Sequence, residues 1–170
     1  RDFFKSDKKK DLFVIQNTFE RTFKLITSQF KTANISIIKH IEEITLFGLE
    51  NELIQVLINI LNNARDELIK KENKSRLILI DVTKKDGYAE ILIKDNAGGI
   101  PSDILDDVFK SHFTTKEDSN GTGVGLYMSK MIIEEHMKGF IGVNNMNFLY
   151  EGISYDGAQF QILLPLQDKL

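Results

Sequence analysis

Three polar clusters in this sequence have residue types and spacings suited to chemistry. A fourth stretch, between two of them, is suited to closing over a ligand. Along residues 50–70, Gln55, Asn59, Asn63 and Asp66 or Glu67 recur every three to four residues, beside an apolar row of Leu53, Leu57, Ile60, Leu61, Ala64 and Leu68. An ordinary amphipathic helix gives such a stripe. Asparagine is nevertheless a poor helix former, and Asn59, Asn62 and Asn63 lie close together, a cost that another role can offset. A carboxamide oxygen is a neutral hard ligand for Mg2+, an ion that keeps several waters and binds through few protein atoms plus phosphates. Asn63 is the candidate.

The second cluster, Asp95-Asn96-Ala97-Gly98-Gly99-Ile100-Pro101, follows a strand-like run. Its glycines let backbone approach a flat ligand, and its carboxylate can accept a hydrogen bond from an exocyclic amine. The same residue types also make plain turns. In the third, Gly121-Thr122-Gly123-Val124-Gly125-Leu126 opens a helix expected to run from about Val124 to His136. Unpaired N–H groups and the positive end of a helix dipole suit a phosphate there. The spacing is neither the dinucleotide fingerprint nor a P-loop. Between them, Val108-Phe109-Lys110-Ser111-His112-Phe113-Thr114-Thr115-Lys116 leads into Glu117-Asp118-Ser119-Asn120. Phenylalanines at the root and a small polar stretch beyond describe a lid, from which Lys116 can reach a phosphate, although most surface lysines do nothing specific.

The elements that must hold these clusters are legible as periodicities. Leu12, Ile15, Phe19, Phe23, Ile26 and Phe30 predict a helix from Leu12 that ends before Asn34. Strands are expected over residues 35–41 and 44–47, a long helix over 50–70, and a hairpin of Arg76–Thr83 with Tyr88–Lys94 turned at Asp86-Gly87. The last helix stops at Lys138-Gly139, and strands over 140–144 and 159–165 complete the chain.

Composition mainly excludes. Of 170 residues, 22 are Lys or Arg and 25 Asp or Glu, a net charge of −3, which argues against a nucleic-acid binder working by counterion release. With no cysteine there is no disulfide framework or thiolate metal site, and three scattered histidines do not make a histidine-rich one. Apolar runs are far shorter than the roughly 20 residues that span a bilayer. The chain opens Arg-Asp-Phe-Phe without a methionine or signal pattern, so it is expected to be part of something longer.

Taken in order, the clusters resemble the ATP-binding domain of the GHKL superfamily, which contains gyrase, the ninety-kilodalton heat-shock chaperones, histidine kinases and MutL. Within it the details are most similar to sensor histidine kinases. QVLINILNNARDEL (55–68) resembles their N box, VFKSHFTTK (108–116) their F box, GTGVGLYMSK (121–130) their second glycine box and GAQFQILLPL (157–166) their closing strand. The resemblance implies that Asp95 accepts from the adenine amino group, with Gly99 and Ile100 beside it, and that Asn63 holds Mg2+. It implies that Lys116, Gly121, Gly123 and Gly125 approach the phosphates. Asn59, Arg65 and Asp66 would line the nucleotide from the N box, Val108, Phe109, Thr114 and Thr115 from the F box, and Thr122, Val124 and Leu126 from the second glycine box. Asn59, Asn63 and Lys116 would be the catalytic set.

The superfamily's ATP hydrolysers carry a water-activating glutamate one helical turn before the metal asparagine, where this chain has Asn59. The resemblance therefore implies ATP held for transfer to another protein's histidine. Three positions depart from the pattern. Ala97 stands where a glycine is commonest and needs a negative φ. Asp66 stands where a basic residue is common, which moves the expected phosphate contact to Arg65. Ala158 replaces a hydroxyl residue, which puts a water-mediated adenine contact in doubt. None of His40, His112 and His136 sits in a phosphoacceptor pattern.

The expected architecture is α/β, a two-layer sandwich with a mixed sheet packed on helices and an N-terminal helical linker. Residues 1–11 would be the tail of a dimerisation and phosphotransfer hairpin, and 12–170 the ATP-binding catalytic domain. Expected partners are that hairpin, in a homodimeric parent, and a response regulator, with no nucleic acid and no direct membrane contact by this domain. The expected location is cytoplasmic, with a membrane anchor in the parent left open. A gyrase- or MutL-like ATPase, an anti-sigma-type serine kinase and a non-catalytic ATP-sensing module are the alternatives.

Overall fold

The computed structural model describes residues 9–111 and 125–166. Strand β1 (Asp11–Val14) runs directly into helix α1 (Ile15–Thr32), followed by β2 (Ile35–Ile41), β3 (Thr45–Gly48), α2 (Glu50–Lys70), β4 (Arg76–Lys85) and β5 (Tyr88–Asp95). A 3-10 turn at Leu105–Asp107 precedes α3 (Gly125–Lys130), which continues as a π-helical segment over Met131–His136. The long strands β6 (Phe140–Tyr150) and β7 (Ile153–Pro165) close the described chain.

Five strands form one sheet in the order β2-β4-β5-β7-β6, with β2 parallel to β4 and every other pair antiparallel. Period-two alternation turns Ile78, Ile80, Val82, Ile91, Ile93, Phe160 and Ile162 to one face, where they pack with Leu53, Leu57, Ile60, Leu61 and Leu68 of α2 and with Ile15, Phe19, Ile26 and Phe30 of α1. The mixed sheet under helices is the expected two-layer sandwich. No helix among the described residues is long and apolar enough to cross a membrane.

The helix expected from Leu12 starts three residues later. Leu12 pairs with Phe47 in a two-stranded sheet of β1 with β3 and is 62% exposed, so it belongs to no buried stripe. Its three-residue spacing from Ile15 was coincidental. The 45–48 segment takes 11–14 as an antiparallel partner, and the Ile15 N–H donates to the Ile44 carbonyl at 2.8 Å, satisfying a group that a helix start leaves unpaired. Asp11, expected in a linker, is the first residue of β1.

The second correction concerns β6 and β7, expected to be five and seven residues long and in fact eleven and thirteen. Pairing continues from Asn145–Ala158 to Tyr150–Ile153 and turns at Glu151 and Gly152, both with positive φ. The segment Asn144-Asn145-Met146-Asn147 is built of weak strand formers, which hides it from propensity. Cross-strand contacts supply what propensity lacks. Asn147 bonds Ser154 and Asp156, and Phe148 packs on Tyr155 at 5.8 Å. By contrast the β4–β5 turn is as read, with Asp86 and Gly87 both left-handed.

Candidate functional site

The polar stripe of α2 is a row with three different fates. The Asn59 amide donates to the Gly125 carbonyl at 3.0 Å and the Ser129 hydroxyl at 3.1 Å, and its oxygen accepts from Gln55 at 3.0 Å. It pins the first turn of α3 to α2. The Asn62 side-chain oxygen is buried without a hydrogen-bond partner among the described residues. Asn63, half-buried one turn beyond Asn59, makes no hydrogen bond among the described residues, which leaves its carboxamide oxygen available as a ligand. The far end of the α3 segment is held to α2 as well. The π-helical backbone brings His136 Nδ1 to 3.0 Å from the buried Glu52 carboxylate.

Arg65 is turned the other way. Two residues along a helix is about 200° of rotation, which takes this side chain away from the Asn63 face. Its guanidinium bonds Asp66 Oδ1 at 2.9 and 3.1 Å and Gln29 of α1, and lies 5.9 Å from the Phe30 ring centroid. In this structure Arg65, expected to meet a phosphate, braces α2 against α1, with Asp66 as its counter-charge. Arg65→Ala is expected to lower stability by about 1 kcal/mol and to leave adenine-nucleotide affinity unchanged, as thermal unfolding and titration calorimetry would show.

Asp95 ends β5 on the same face as Ile91 and Ile93, so the alternation that builds the core also aims its carboxylate beneath the helices. It is 6% exposed. Oδ1 accepts from the backbone N–H groups of Ala97 at 2.9 Å and Ala158 at 3.4 Å, while Oδ2 accepts nothing among the described residues. Burial raises its pKa above the ordinary aspartate value. The two N–H bonds and the Lys71 charge oppose that rise, and the Glu67 carboxylate adds to it. A carboxylate with one oxygen fixed and the other open is a directional acceptor for an amine.

The loop after Asp95 is shaped from several sides. Gly98 and Gly99 hold φ of +96° and +90°, while Ala97 is not left-handed and keeps its methyl without strain. The buried Asn96 side chain accepts from Leu77 N–H and donates to the Ser75 carbonyl, both at 2.9 Å, and Asn73 donates to the Asn96 carbonyl. The Gly98 N–H donates to the Asp156 carbonyl at 2.9 Å, and Asn145 pairs with both backbone groups of Ile100 at 2.7 Å. Gly157 passes so close that a Cβ there would lie 1.6 Å from the Asp95 carbonyl oxygen. Ala158 serves Asp95 through its backbone, for which no hydroxyl is needed. Asn73, Asn145 and the crowding at Gly157 are not legible in spacing, because their partners lie 23 to 62 residues away (96 − 73 and 157 − 95).

Of the F box, Val108 is buried and Phe109 stands edge-on to Phe160 at 6.1 Å, with the Lys130 ammonium 5.6 Å from its ring centroid. Leu126 packs against the core. Thr114, Thr115, Lys116, Gly121, Thr122, Gly123 and Val124 lie outside the described residues. A cavity of about 190 Å³ between α1 and β2, lined by Phe23, Phe30, Ile35 and Ile37, is apolar and lies apart from these groups.

Comparisons with known proteins identify the family and the fold. The two-component sensor PprA of Pseudomonas aeruginosa is 34% identical over 122 residues, which are 70% of this chain and 12% of that protein. Sporulation kinase C of Bacillus subtilis is 33% identical over 138 residues, 79% of this chain and 29% of its own length. The chain thus spans under a third of either relative. In fold it resembles the catalytic domain of histidine kinase ThkA, with TM-score 0.75 and 22% identity over 94% of this chain and 97% of that one; ThkA has also been solved in complex with the response regulator TrrA. Residues 48–168, from the last residue of β3 past the end of β7, match the model of the histidine kinase-, DNA gyrase B- and HSP90-like ATPases, and the chain belongs to that family.

Proposed function

We propose that this chain is the ATP-binding catalytic part of a two-component sensor histidine kinase, giving the γ-phosphoryl group of ATP to a histidine on a separate helical domain. The observation that carries the reading is Asn59. The family contains hydrolysers and kinases, and the position one turn before Asn63 holds an amide committed to Gly125 and Ser129, with no carboxylate to activate water. Phosphoryl transfer asks little covalent chemistry of a protein and relies on positioning and electrostatics. In this reading Asp95 Oδ2 accepts from the adenine amine, Gly98 and Gly99 let the base lie against backbone, and Asn59 sets the helix in which the second glycine box ends.

Mg2+ fits the donor set. Among the described residues Asn63 offers an unengaged neutral oxygen, and no cluster of three acidic or histidine side chains there would compete as a protein-only metal cage. Bound there with the phosphates, the ion would neutralise charge that develops on transfer. Asn63→Ala is expected to weaken Mg-ATP by at least the ~10-fold that loss of an outer-shell metal partner costs, and to leave affinity measured in EDTA unchanged.

The two-component sensor relative and the regulator-bound ThkA support a response regulator downstream; a phosphoacceptor hairpin, a dimeric parent and a cytoplasmic location complete the proposal. The test is to mix the chain with a phosphoacceptor hairpin and γ-labelled ATP. Acid-labile label on the hairpin and negligible phosphate release by the chain alone are expected. Rapid steady-state hydrolysis would favour the gyrase-like reading, and acid-stable label a serine kinase.

A further inference from the structure

The chain wall against which the Asp95 loop is set is a single strand pair, and the structure assigns it a positioning residue, Asn145. The inference rests on the ATP reading above and extends it to a residue outside the motifs that carry the resemblance.

Asn145 and Ala158 face each other across β6 and β7. From this one pair, the Ala158 N–H reaches Asp95 Oδ1 on one side of the loop, and the Asn145 carboxamide takes both the N–H and the carbonyl of Ile100 on the other. Two residues along β7, the Asp156 carbonyl holds the Gly98 N–H. Residues 95, 98 and 100 are thus each fixed to the same hairpin. The Asn145 side chain also lies over Gly99, its oxygen 2.9 Å from where a Cβ would stand.

A paired carboxamide on a backbone N–H and C=O acts like one more rung of sheet, fixing both the distance and the rotation of the peptide it holds. Gly98 and Gly99 are left-handed and have no side chains to restrain them; the Asp156 carbonyl holds Gly98, and Asn145 holds the Ile100 peptide that follows Gly99. Asn145 therefore touches no nucleotide atom in this scheme. It holds the Gly99–Ile100 edge in the position from which Asp95 reads the base, and its loss relaxes base discrimination as well as affinity.

The test uses the intact chain with Mg-ATP and Mg-ITP, which carries a carbonyl where adenine has its amine. Asn145→Ala is expected to weaken ATP by about 5–20-fold, the loss of two exposed hydrogen bonds, to affect ITP less, and so to narrow the ATP-to-ITP affinity ratio. Asn145→Ser, too short to reach Ile100, should behave alike. Asn147→Ala, whose side chain bonds only within the hairpin, should leave both affinities unchanged. Thermal unfolding of each variant reports folding separately. An unchanged ratio in both Asn145 variants, equal weakening of both nucleotides, or the same effect from Asn147→Ala overturns the assignment. A wild-type chain that binds neither nucleotide overturns the ATP reading itself, and the assignment with it.

Discussion

Gly157→Ala is expected to unfold the protein about 6–12 °C lower and to remove measurable adenine-nucleotide binding. The Cβ would stand 1.6 Å from the Asp95 carbonyl oxygen, 2.6 Å from its carbon and 3.2 Å from the Asn96 Cα. All three are backbone atoms, so no rotamer change relieves the contact; β7 must move away from the end of β5. Overpacking of this kind costs about 1–3 kcal/mol and occasionally more. At the upper figure, the 2–4 °C per kcal/mol typical of a chain this size gives the shift above. The displaced strand carries the Ala158 N–H that fixes Asp95, so function should fall further than stability. Gly152→Ala is the control. That glycine is left-handed, with nothing within 4 Å of a Cβ, and substitution there should cost about 1–2 kcal/mol of backbone strain without touching nucleotide affinity. Differential scanning calorimetry and nucleotide titration on both variants would check the pair, and equal loss of binding in both would refute the argument.

Asp95→Asn is expected to separate stability from function. An amide cannot accept from the adenine amine through the nitrogen that replaces Oδ2, so ATP should bind about 1.5–3 kcal/mol more weakly, the worth of a hydrogen bond to a charged group. Stability of the free protein should not fall and should rise slightly near neutral pH, because the substitution removes a charge that burial disfavours. Since the folded carboxyl holds its proton more tightly than the unfolded one, its contribution to stability is greatest below the unfolded pKa and is lost as pH rises through the raised folded value. Nucleotide recognition runs the opposite way. ATP affinity should weaken as pH falls through that same raised value, and this step should vanish in Asp95→Asn. Calorimetric titrations between pH 4 and 7 (a span of about three units around the acidic range) read both quantities, and a pH step retained in the variant would assign it to another group.

Much of the site was legible because local rules and tertiary packing agree there. Asp95 follows Ile91 and Ile93 in a period of two, so whatever buries those isoleucines also aims the carboxylate inward. Asn59 and Asn63 stand one turn apart on a helix whose apolar row is unambiguous. Failures came where two rules competed. Leu12 fits the helical spacing of α1, yet its segment pairs with β3, since a strand partner is available just where the helix begins. Arg65 is a basic residue two positions from Asn63 in sequence and faces α1 in space, because two residues is half a helical turn.

By itself the sequence determined the elements, the order of the boxes and the identity of the groups that could meet a nucleotide, since periodicity and residue chemistry are local properties. Only the tertiary structure decided which of those groups are free to act. Asn59 is tied to α3, Arg65 to α1 and Asn63 to nothing described, and Asp95 keeps one open oxygen because Ala158, 63 residues away, takes the other. Hydrogen-bond capacity is limited, and which partner uses it depends on contacts between distant strands and helices that no spacing records.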